Sequence, residues 1–535
     1  MGSMRAIPGR RAGRARAFAA PFLAVLLTGA SGAGAGAAAA LPGAGPPAPE
    51  PQLTGAQVDK AVAALDDDVR ALMKRTGVPG VSVGVVYKDK VVYLKGFGVR
   101  RVGDSAKVDP DTVFQIASLS KPVASTVVAG VLGQGGEKDL GWDTPVAGQL
   151  PDFALKDPWV SAHVTPADLF SHRSGLPDHA GDLLEDLGYD RAYVLSHLRY
   201  EPLSAFRASY AYTNFGLTAA AEAVARARGV SWEKLSEDTL YKPAGMDSTS
   251  SRFADFDKAT DKASTHVKNA DGTWSARYVR DADAQAPAGG VSSSARDMTR
   301  WLRLQLADGR LDGRQIVDSA ALARTHLPEI VSQPPAGPAD RAGFYGLGWN
   351  VGYDERGRLR LSHSGAFALG AATAVTLLPQ ERLGIVVLTN GSPVGVPETL
   401  AQDFFETAQS GKPGRDWLPL IAGVLDKQLN EGRSPTDYAH PPADARPARA
   451  DSAYTGSYEN PYYGRLTVTA TSSALTLELG PKPLRFPLTH YSGDVFSFET
   501  AGENAVGRTG VTFKDNTVRV EYLDAHGLGT FTRAG

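Results

Sequence analysis

The spacing of apolar residues changes along the chain, and this change limits the architectures that the chain can adopt. Alternating apolar residues predict a β-hairpin over residues 81–93, whereas residues 110–330 are mostly helical in pattern. Strand patterns then return in three segments, 358–362, 371–378 and 383–389. Strands on both sides of a helical stretch predict one mixed sheet, built from the two ends of a single domain over residues 54–432.

A second change of period separates the C-terminal region. Residues 433–450 are rich in proline and alanine and predict an interdomain linker. Residues 451–535 then alternate apolar and polar positions in about six short segments separated by turn residues. This pattern is typical of a small all-β barrel or sandwich.

Composition excludes several function classes. The net charge of −2 provides no basic surface of the kind that binds nucleic acid, so no nucleic-acid partner is predicted. The chain has no cysteine, which excludes disulfides, thiolate metal sites, a cysteine nucleophile and a lipid anchor on cysteine. The ten histidines show no metal-ligand spacing. We therefore predict neither a metal nor a cofactor.

The N-terminus has the pattern of an export signal. Several arginines precede a short apolar stretch and then small residues, which predicts a signal peptide over residues 1–40. Residues 41–53 are rich in proline and alanine and predict a flexible lead-in. The alternative is a disordered Ala/Gly/Arg tail. The apolar stretch is too short for a stable membrane span, so the expected location is secreted or extracytoplasmic.

Ser118-Leu119-Ser120-Lys121 forms an S-x-x-K motif at the start of a predicted helix. Residues three apart share a helix face, so the Ser118 hydroxyl and the Lys121 amine can meet. A serine hydroxyl needs a base within hydrogen-bond reach to become a nucleophile. The motif alone is weak, because Ser231-Trp232-Glu233-Lys234 is a second copy. Ser231 follows a glycine and opens a predicted helix, so we interpret it as an N-cap.

Two further motifs follow in the chain. Tyr212-Thr213-Asn214 precedes a predicted helix and offers a phenol and an amide, although a helix-capping turn explains it equally well. His363-Ser364-Gly365 follows a predicted strand, where the glycine would let a substrate approach the backbone. A lone histidine at a strand end is more often structural than catalytic.

The three motifs, in this order, resemble those of the serine β-lactamase-related family. Within that family, the resemblance is to the branch that contains class C β-lactamases, D-alanyl-D-alanine carboxypeptidases and family VIII esterases. The resemblance covers about residues 55–410 and includes the stretch Ser171-His172-Arg173-Ser174-Gly175. It implies an α/β (α+β) domain with a central antiparallel sheet flanked by helices. The residues after 451 resemble a β-rich domain that is often appended to such hydrolases.

The resemblance also implies catalytic roles. Ser118 matches the acylated nucleophile, and Lys121 matches the partner that activates it. Tyr212 matches the phenol that assists proton transfer. The resemblance leaves open whether Lys121 or Tyr212 is the base.

The other matched residues would bind substrate. Asn214 matches the residue that orients the lysine and the substrate amide, and the backbone N–H groups of Ser118 and Ala366 match the oxyanion hole. His363, Ser364 and Gly365 occupy the motif that usually reads K-T-G. A histidine is only about one-quarter charged at pH 7, so recognition of a substrate carboxylate is weakened.

These observations predict an exported serine hydrolase that forms an acyl-enzyme on Ser118. The expected partner is a small-molecule ester, an amide or a D-amino-acid peptide, with at most weak β-lactamase activity. The alternative is a penicillin-binding or sensor module that is acylated without turnover. The β domain could also associate with the cell wall.

Overall fold

A computed structural model describes residues 53–133, 140–471 and 474–535. The predicted signal peptide over residues 1–40 lies outside the described residues, as does the lead-in except for Leu53. Within the described ranges, no helix is both long and apolar enough to cross a bilayer.

Helices surround the predicted catalytic motifs. In chain order the α-helices are α1 (Gly55–Thr76), α2 (Ser120–Leu132), α3 (Pro158–His163), α4 (Pro166–Phe170), α5 (Asp182–Asp186), α6 (Arg191–His197), α7 (Asn214–Ala227), α8 (Trp232–Ser236), α9 (Lys242–Ala244), α10 (Phe253–Lys258), α11 (Ala286–Gly289), α12 (Ala295–Leu306), α13 (Ser319–Thr325), α14 (Val396–Ser410) and α15 (Leu418–Leu429). α2 is buried along almost its whole length, because most of its side chains are small or apolar.

Strands of the first domain come from both of its ends, as the sequence predicts. In chain order they are β1 (Gly80–Tyr87), β2 (Lys90–Gly98), β3 (Val113–Gln115), β4 (Val267–Lys268), β5 (Trp274–Ser275), β6 (Ser292–Ser294), β7 (Arg310–Leu311), β8 (Arg314–Gln315), β9 (Ile330–Gln333), β10 (Gly343–Tyr345), β11 (Asn350–Tyr353), β12 (Leu359–Phe367), β13 (Ala371–Leu378) and β14 (Leu383–Thr389).

Eight of these strands form the main sheet, in the order β2-β1-β14-β13-β12-β11-β10-β9. Every neighbouring pair is antiparallel, so the prediction of a mixed sheet was wrong. Most neighbours are joined by short turns, which force an antiparallel course, and β1 enters beside β14 in the opposite direction. The antiparallel sheet flanked by helices that the family resemblance implies is confirmed.

Both faces of the central strands are covered. Val83, Val85 and Val387 pack on one face with α1 and α14, whereas Val386 and Leu388 pack on the other face with the helical region. β13 is consequently buried at every position. This double burial explains why β13 and β14 are nearly continuous apolar runs in the sequence.

The C-terminal region is a second antiparallel sheet of nine strands. In chain order they are β15 (Gly456–Asn460), β16 (Gly464–Ala470), β17 (Leu475–Leu479), β18 (Leu484–Pro487), β19 (Thr489–Ser492), β20 (Val495–Glu499), β21 (Arg508–Lys514), β22 (Thr517–Val520) and β23 (Thr530–Arg533). The edge strands β18 and β19 are separated only by Leu488, so the sheet curls into a near-barrel. β15, β19 and β23 were not predicted, because each contains a single Tyr or Phe, which is too little to show an alternating pattern.

The two domains share a buried interface. The Tyr462 hydroxyl donates to Glu201 Oε1 at 2.5 Å and accepts from the Gly181 N–H at 3.1 Å. The His526 ring bonds the second Glu201 oxygen at 2.8 Å, and the Tyr189 hydroxyl donates to a backbone carbonyl of the β domain. Because Tyr462 and Glu201 are each only 2% exposed, this polar contact is shielded from water.

Tyr462→Phe is expected to destabilise the protein. The change removes the hydroxyl that donates to the buried Glu201 carboxylate, which costs about 1–3 kcal/mol of unfolding free energy. Thermal unfolding followed by calorimetry measures the effect as a lower midpoint. Tyr353→Phe is the matched control, because Tyr353 is 40% exposed. Equal midpoints for the two variants would contradict the prediction.

Candidate active site

Ser118 lies in a single 3₁₀ turn, Ala117–Leu119, that leads directly into α2. The preceding Ala117 has a φ of 48°, which is unfavourable for a residue with a side chain and turns the backbone sharply just before the serine. Ser118 is 7% exposed. Lys121 follows one turn later, and its Nζ is 3.0 Å from Ser118 Oγ. The spacing of the S-x-x-K motif therefore produces the contact that it predicts.

Lys121 is fully buried, and its amine has three hydrogen-bond acceptors. Besides Ser118 Oγ, Nζ donates to Asn214 Oδ1 at 2.7 Å and to the Ala288 carbonyl at 3.0 Å. Burial lowers the pKa of Lys121 well below its usual value, while the nearby Asp182 carboxylate opposes this shift. The amine is therefore oriented towards the serine in an environment that favours its neutral form.

Asn214 is the first residue of α7, but its side chain does not cap the helix. Its Oδ1 accepts from Lys121, and its Nδ2 donates to Asp182 Oδ2 at 2.8 Å. The His179 Nδ1 also bonds Asp182 Oδ2, at 2.7 Å. Lys121 donates to the oxygen of the Asn214 amide and Asp182 accepts from its nitrogen, so these two contacts fix the orientation of the amide.

Tyr212 lies over the lysine. The Lys121 Nζ is 4.5 Å from the centre of the Tyr212 ring, and Tyr212 is 1% exposed. Burial raises the pKa of the Tyr212 hydroxyl well above its usual value, although a hydrogen bond with Ser118 works in the opposite direction. The phenol therefore stays protonated at neutral pH. The neighbouring His172 ring, 4.5 Å away, packs against it.

His363 lies inside β12, not after the strand as predicted. The strand continues through the motif because residues 363–367 pair with β13 without interruption. Its Nδ1 contacts the Ser364 carbonyl, which can only accept, so Nδ1 carries the proton and Nε2 accepts from the Tyr345 hydroxyl at 2.8 Å. Burial, assisted by the Lys121 charge, lowers the pKa of His363 to about 3. The expected partial charge is therefore absent at neutral pH.

Successive side chains of β12 point to opposite faces of the sheet, so Gly365 faces the nucleophile, whereas the side chains of Ser364 and Ala366 face away from it. Gly365 lies against the nucleophile: a Cβ there would be 2.9 Å from the Ser118 nitrogen and 2.4 Å from the Ile116 carbonyl oxygen. Only glycine fits this approach. The side chains of Ser364 and Ala366 point to the opposite face of the sheet, and Ser364 bonds Glu398 there. Only their backbone atoms remain available to the site, so the predicted substrate binding by Ser364 and Ala366 would use the main chain.

Two other serines in hydrolase-like patterns lie outside this site. Ser231 caps α8, since its hydroxyl accepts from the Lys234 N–H, as predicted. Ser82 stands in Gly80-Val81-Ser82-Val83-Gly84, which has the G-x-S-x-G spacing of α/β-hydrolases. It lies in the middle of β1 and is fully buried, whereas a nucleophile of that class needs an exposed turn between a strand and a helix.

Sequence reasoning missed several residues that complete the site. Asp182 orients the Asn214 amide, and the Ala288 carbonyl is the third acceptor of the lysine. Ala288 belongs to a Pro-Ala-Gly-Gly stretch, a weak signal at best, and Asp182 has no distinguishing sequence context. Within the described ranges, no group of three or more histidine and acidic side chains could hold a metal ion.

Known proteins share this architecture. The family model described as Beta-lactamase matches residues 65–404, more than half of the chain, and a domain of unknown function, DUF3471, matches residues 440–528. An unguisins hydrolase, ungD, from Aspergillus violaceofuscus is 24% identical over 498 residues and covers 84% of this chain and 85% of its own. Penicillin-binding protein 4 from Amycolatopsis lactamdurans is 29% identical and covers 73% of this chain and 95% of its own.

Among solved structures, the octameric penicillin-binding protein homologue from Pyrococcus abyssi is similar with a TM-score of 0.56. The match covers 86% of this chain and 98% of that chain at 20% identity, so it concerns the fold alone. The matched family model covers the segment that contains all three motifs. The chain therefore belongs to the Beta-lactamase family and is a serine hydrolase of that family.

Proposed function

We propose that the chain is an exported serine hydrolase that cleaves an ester or amide bond through an acyl-enzyme on Ser118. The observation that carries the proposal is the buried hydrogen bond between Lys121 Nζ and Ser118 Oγ. Export is supported by the N-terminal sequence pattern. The substrate would be a small-molecule ester, an amide or a D-amino-acid peptide, and association of the β domain with the cell wall stays a prediction.

In the proposed mechanism Lys121 is the base. Its lowered pKa favours the neutral amine, whereas the raised pKa of Tyr212 keeps the phenol protonated. Ser118 Oγ bonds the substrate carbonyl carbon and transfers its proton to Lys121 Nζ. The backbone N–H groups of Ser118 and Ala366 stabilise the oxyanion.

Collapse of the tetrahedral intermediate breaks the bond to the leaving group. Tyr212 donates its proton to the departing oxygen or nitrogen and recovers one from the Lys121 ammonium. A water molecule then attacks the acyl carbon and gives a proton to Lys121. The bond between the acyl carbon and Ser118 Oγ breaks, Lys121 returns the proton to Oγ, and the carboxylic acid is released. The proton taken from Ser118 is thus replaced on the leaving group, and the proton taken from water returns to Ser118 Oγ.

Ser118→Ala is expected to abolish labelling by a serine-reactive fluorophosphonate and to reduce ester turnover to background. The physical reason is that Ser118 is the serine whose hydroxyl is hydrogen-bonded to the buried amine. In-gel fluorescence and a chromogenic ester assay measure the two effects. Ser231→Ala is the control and should label like the wild type. A labelled Ser118→Ala variant would place the nucleophile elsewhere and refute the proposal.

Lys121→Arg tests the identity of the base. Arginine keeps the positive charge but does not lose its proton, so the acylation rate constant should fall by about 10²-fold or more. In the wild type, kcat/KM should rise with pH and level off well below pH 10.5, because burial lowers the pKa of Lys121. Stopped-flow acylation and a pH–rate profile are the measurements. An arginine variant with wild-type acylation would assign the base to another group.

The neutral state of His363 predicts a preference for uncharged substrates. A neutral imidazole cannot form the charge-assisted pair that a lysine would give a substrate carboxylate, a pair typically worth about 1.5–3 kcal/mol. We expect kcat/KM for an uncharged chromogenic ester to exceed that for a chromogenic cephalosporin by about tenfold or more. Equal values, or a preference for the cephalosporin, would contradict this expectation.

One relative favours a second candidate function. Because a similar protein is named penicillin-binding protein 4, the chain could be acylated by β-lactams without turnover. Burst kinetics separate the two functions. A single stoichiometric release of product would indicate a penicillin-binding or sensor module, and continued release would indicate the hydrolase.

A further inference from the structure

A loop of the C-terminal β domain contacts two walls of the active site. We call residues 502–504 the docking loop; it lies within the connection between β20 and β21 and consists of Gly502, Glu503 and Asn504. One wall is α5, whose first residue Asp182 orients the Asn214 amide. The other wall is the end of β12, the strand that contains Ala366, whose backbone N–H is a proposed oxyanion donor.

The contact with α5 uses the last residue of that helix. The Asp186 carboxylate accepts from the Glu503 N–H at 3.1 Å, from the Asn504 N–H at 2.9 Å and from the Asn504 side chain at 2.9 Å. Gly502 has a φ of 107°, and a Cβ there would be 2.8 Å from Asp186 Cγ. The docking loop therefore fits α5 only with glycine at position 502.

The contact with β12 uses both oxygens of the Glu503 carboxylate. Oε1 accepts from the Ala368 N–H at 2.6 Å, and Oε2 accepts from the Leu369 N–H at 3.2 Å. These two amides follow β12 directly and lie two and three residues after Ala366. A side chain from the second domain thus fixes the turn that ends the strand beside Ser118.

Arg280 links the two walls and the loop. Its guanidinium contacts Glu185 of α5 at 2.7 Å and Glu503 at 3.2 Å, and it lies 4.4 Å from the centre of the Phe367 ring at the end of β12. The Arg280 and Glu503 side chains are 10% and 11% exposed. Charge-assisted hydrogen bonds of this kind are shorter and about twice as strong as hydrogen bonds between neutral groups.

We propose that Glu503 is a positioning residue for hydrolysis, which makes the C-terminal β domain part of the catalytic unit. This inference rests on the proposed function. Glu503 holds the end of β12 so that the Ala366 N–H stays aligned with the Ser118 N–H. Glu503 does not touch the reacting atoms in this arrangement. Its contribution is to keep the oxyanion donors in place when the tetrahedral intermediate forms.

Glu503→Ala in the full chain tests the proposal. Misplacing catalytic donors by about 1 Å can cost about 10²-fold in rate, so we expect the acylation rate constant to fall about ten- to hundredfold. KM should change much less, because Glu503 does not contact the substrate. Glu503→Gln should recover part of the rate, since its amide oxygen still accepts one N–H. Glu499→Ala is the control, because Glu499 lies on β20 with a 61% exposed side chain and pairs with Arg508.

Rates are expressed per active site, titrated by the fluorophosphonate burst, so that a loss of folded protein does not count as a loss of rate. A purely structural role for Glu503 would lower the titrated fraction and leave the rate per site unchanged, and this result would overturn the proposal. If Glu503→Ala does not fold, Glu503→Gln alone must show a slower rate per site. Ester turnover that persists in Ser118→Ala would instead refute the proposed function, so the two failures are distinguishable.

Discussion

The site depends on the burial of one amine. Lys121 has no exposed surface, and the free energy of removing a charge from water is what makes its neutral form accessible near neutral pH. A neutral amine can accept a proton from the Ser118 hydroxyl, whereas a solvated lysine could not. When the neutral amine donates its two N–H bonds to Asn214 Oδ1 and the Ala288 carbonyl, its lone pair points at the third contact, the Ser118 hydroxyl. The surrounding fold supplies the burial and these acceptors.

Those acceptors come from segments that are far apart in the chain. The serine lies in the 3₁₀ turn that leads into the helix of the lysine, Asn214 opens α7, and the Ala288 carbonyl belongs to α11. The antiparallel sheet adds β12 from the other side, and Gly365 brings its backbone against the Ser118 nitrogen. β12 pairs over residues 361–367 with β13, which is buried at every position. The second domain adds a further constraint at the end of β12 through Glu503.

The sequence predicted the parts of this arrangement that are local. Ser118 and Lys121 are one helical turn apart, so a motif is sufficient to bring them together. Alternating or apolar segments predicted β1, β2 and β12–β14 of the main sheet and six of the nine strands of the β domain, and the order of three motifs identified the family. The parts that it could not predict involve contacts between distant segments: the antiparallel direction of β1, the continuation of β12 through His363, and the role of Asp182. Glu503 carries no sequence signal, because its function depends on how two domains pack.

The histidine at the K-T-G position affects the base as well as the substrate. The Lys121 charge helps to lower the pKa of His363, and electrostatic coupling between two sites is reciprocal. A lysine at position 363 would be a second cation facing the buried amine. Because His363 is neutral, it does not place a second cation opposite Lys121. The hydrogen bond with the Tyr345 hydroxyl satisfies the imidazole ring of His363 without a charge. Arg280, a further cation near the site, is paired with Glu185 and Glu503. His363 and Arg280 therefore provide no unpaired cation that would attract an anionic substrate. Burial lowers the pKa of His363 as it lowers the pKa of Lys121, so one physical cause supports both the base and the proposed preference for uncharged substrates.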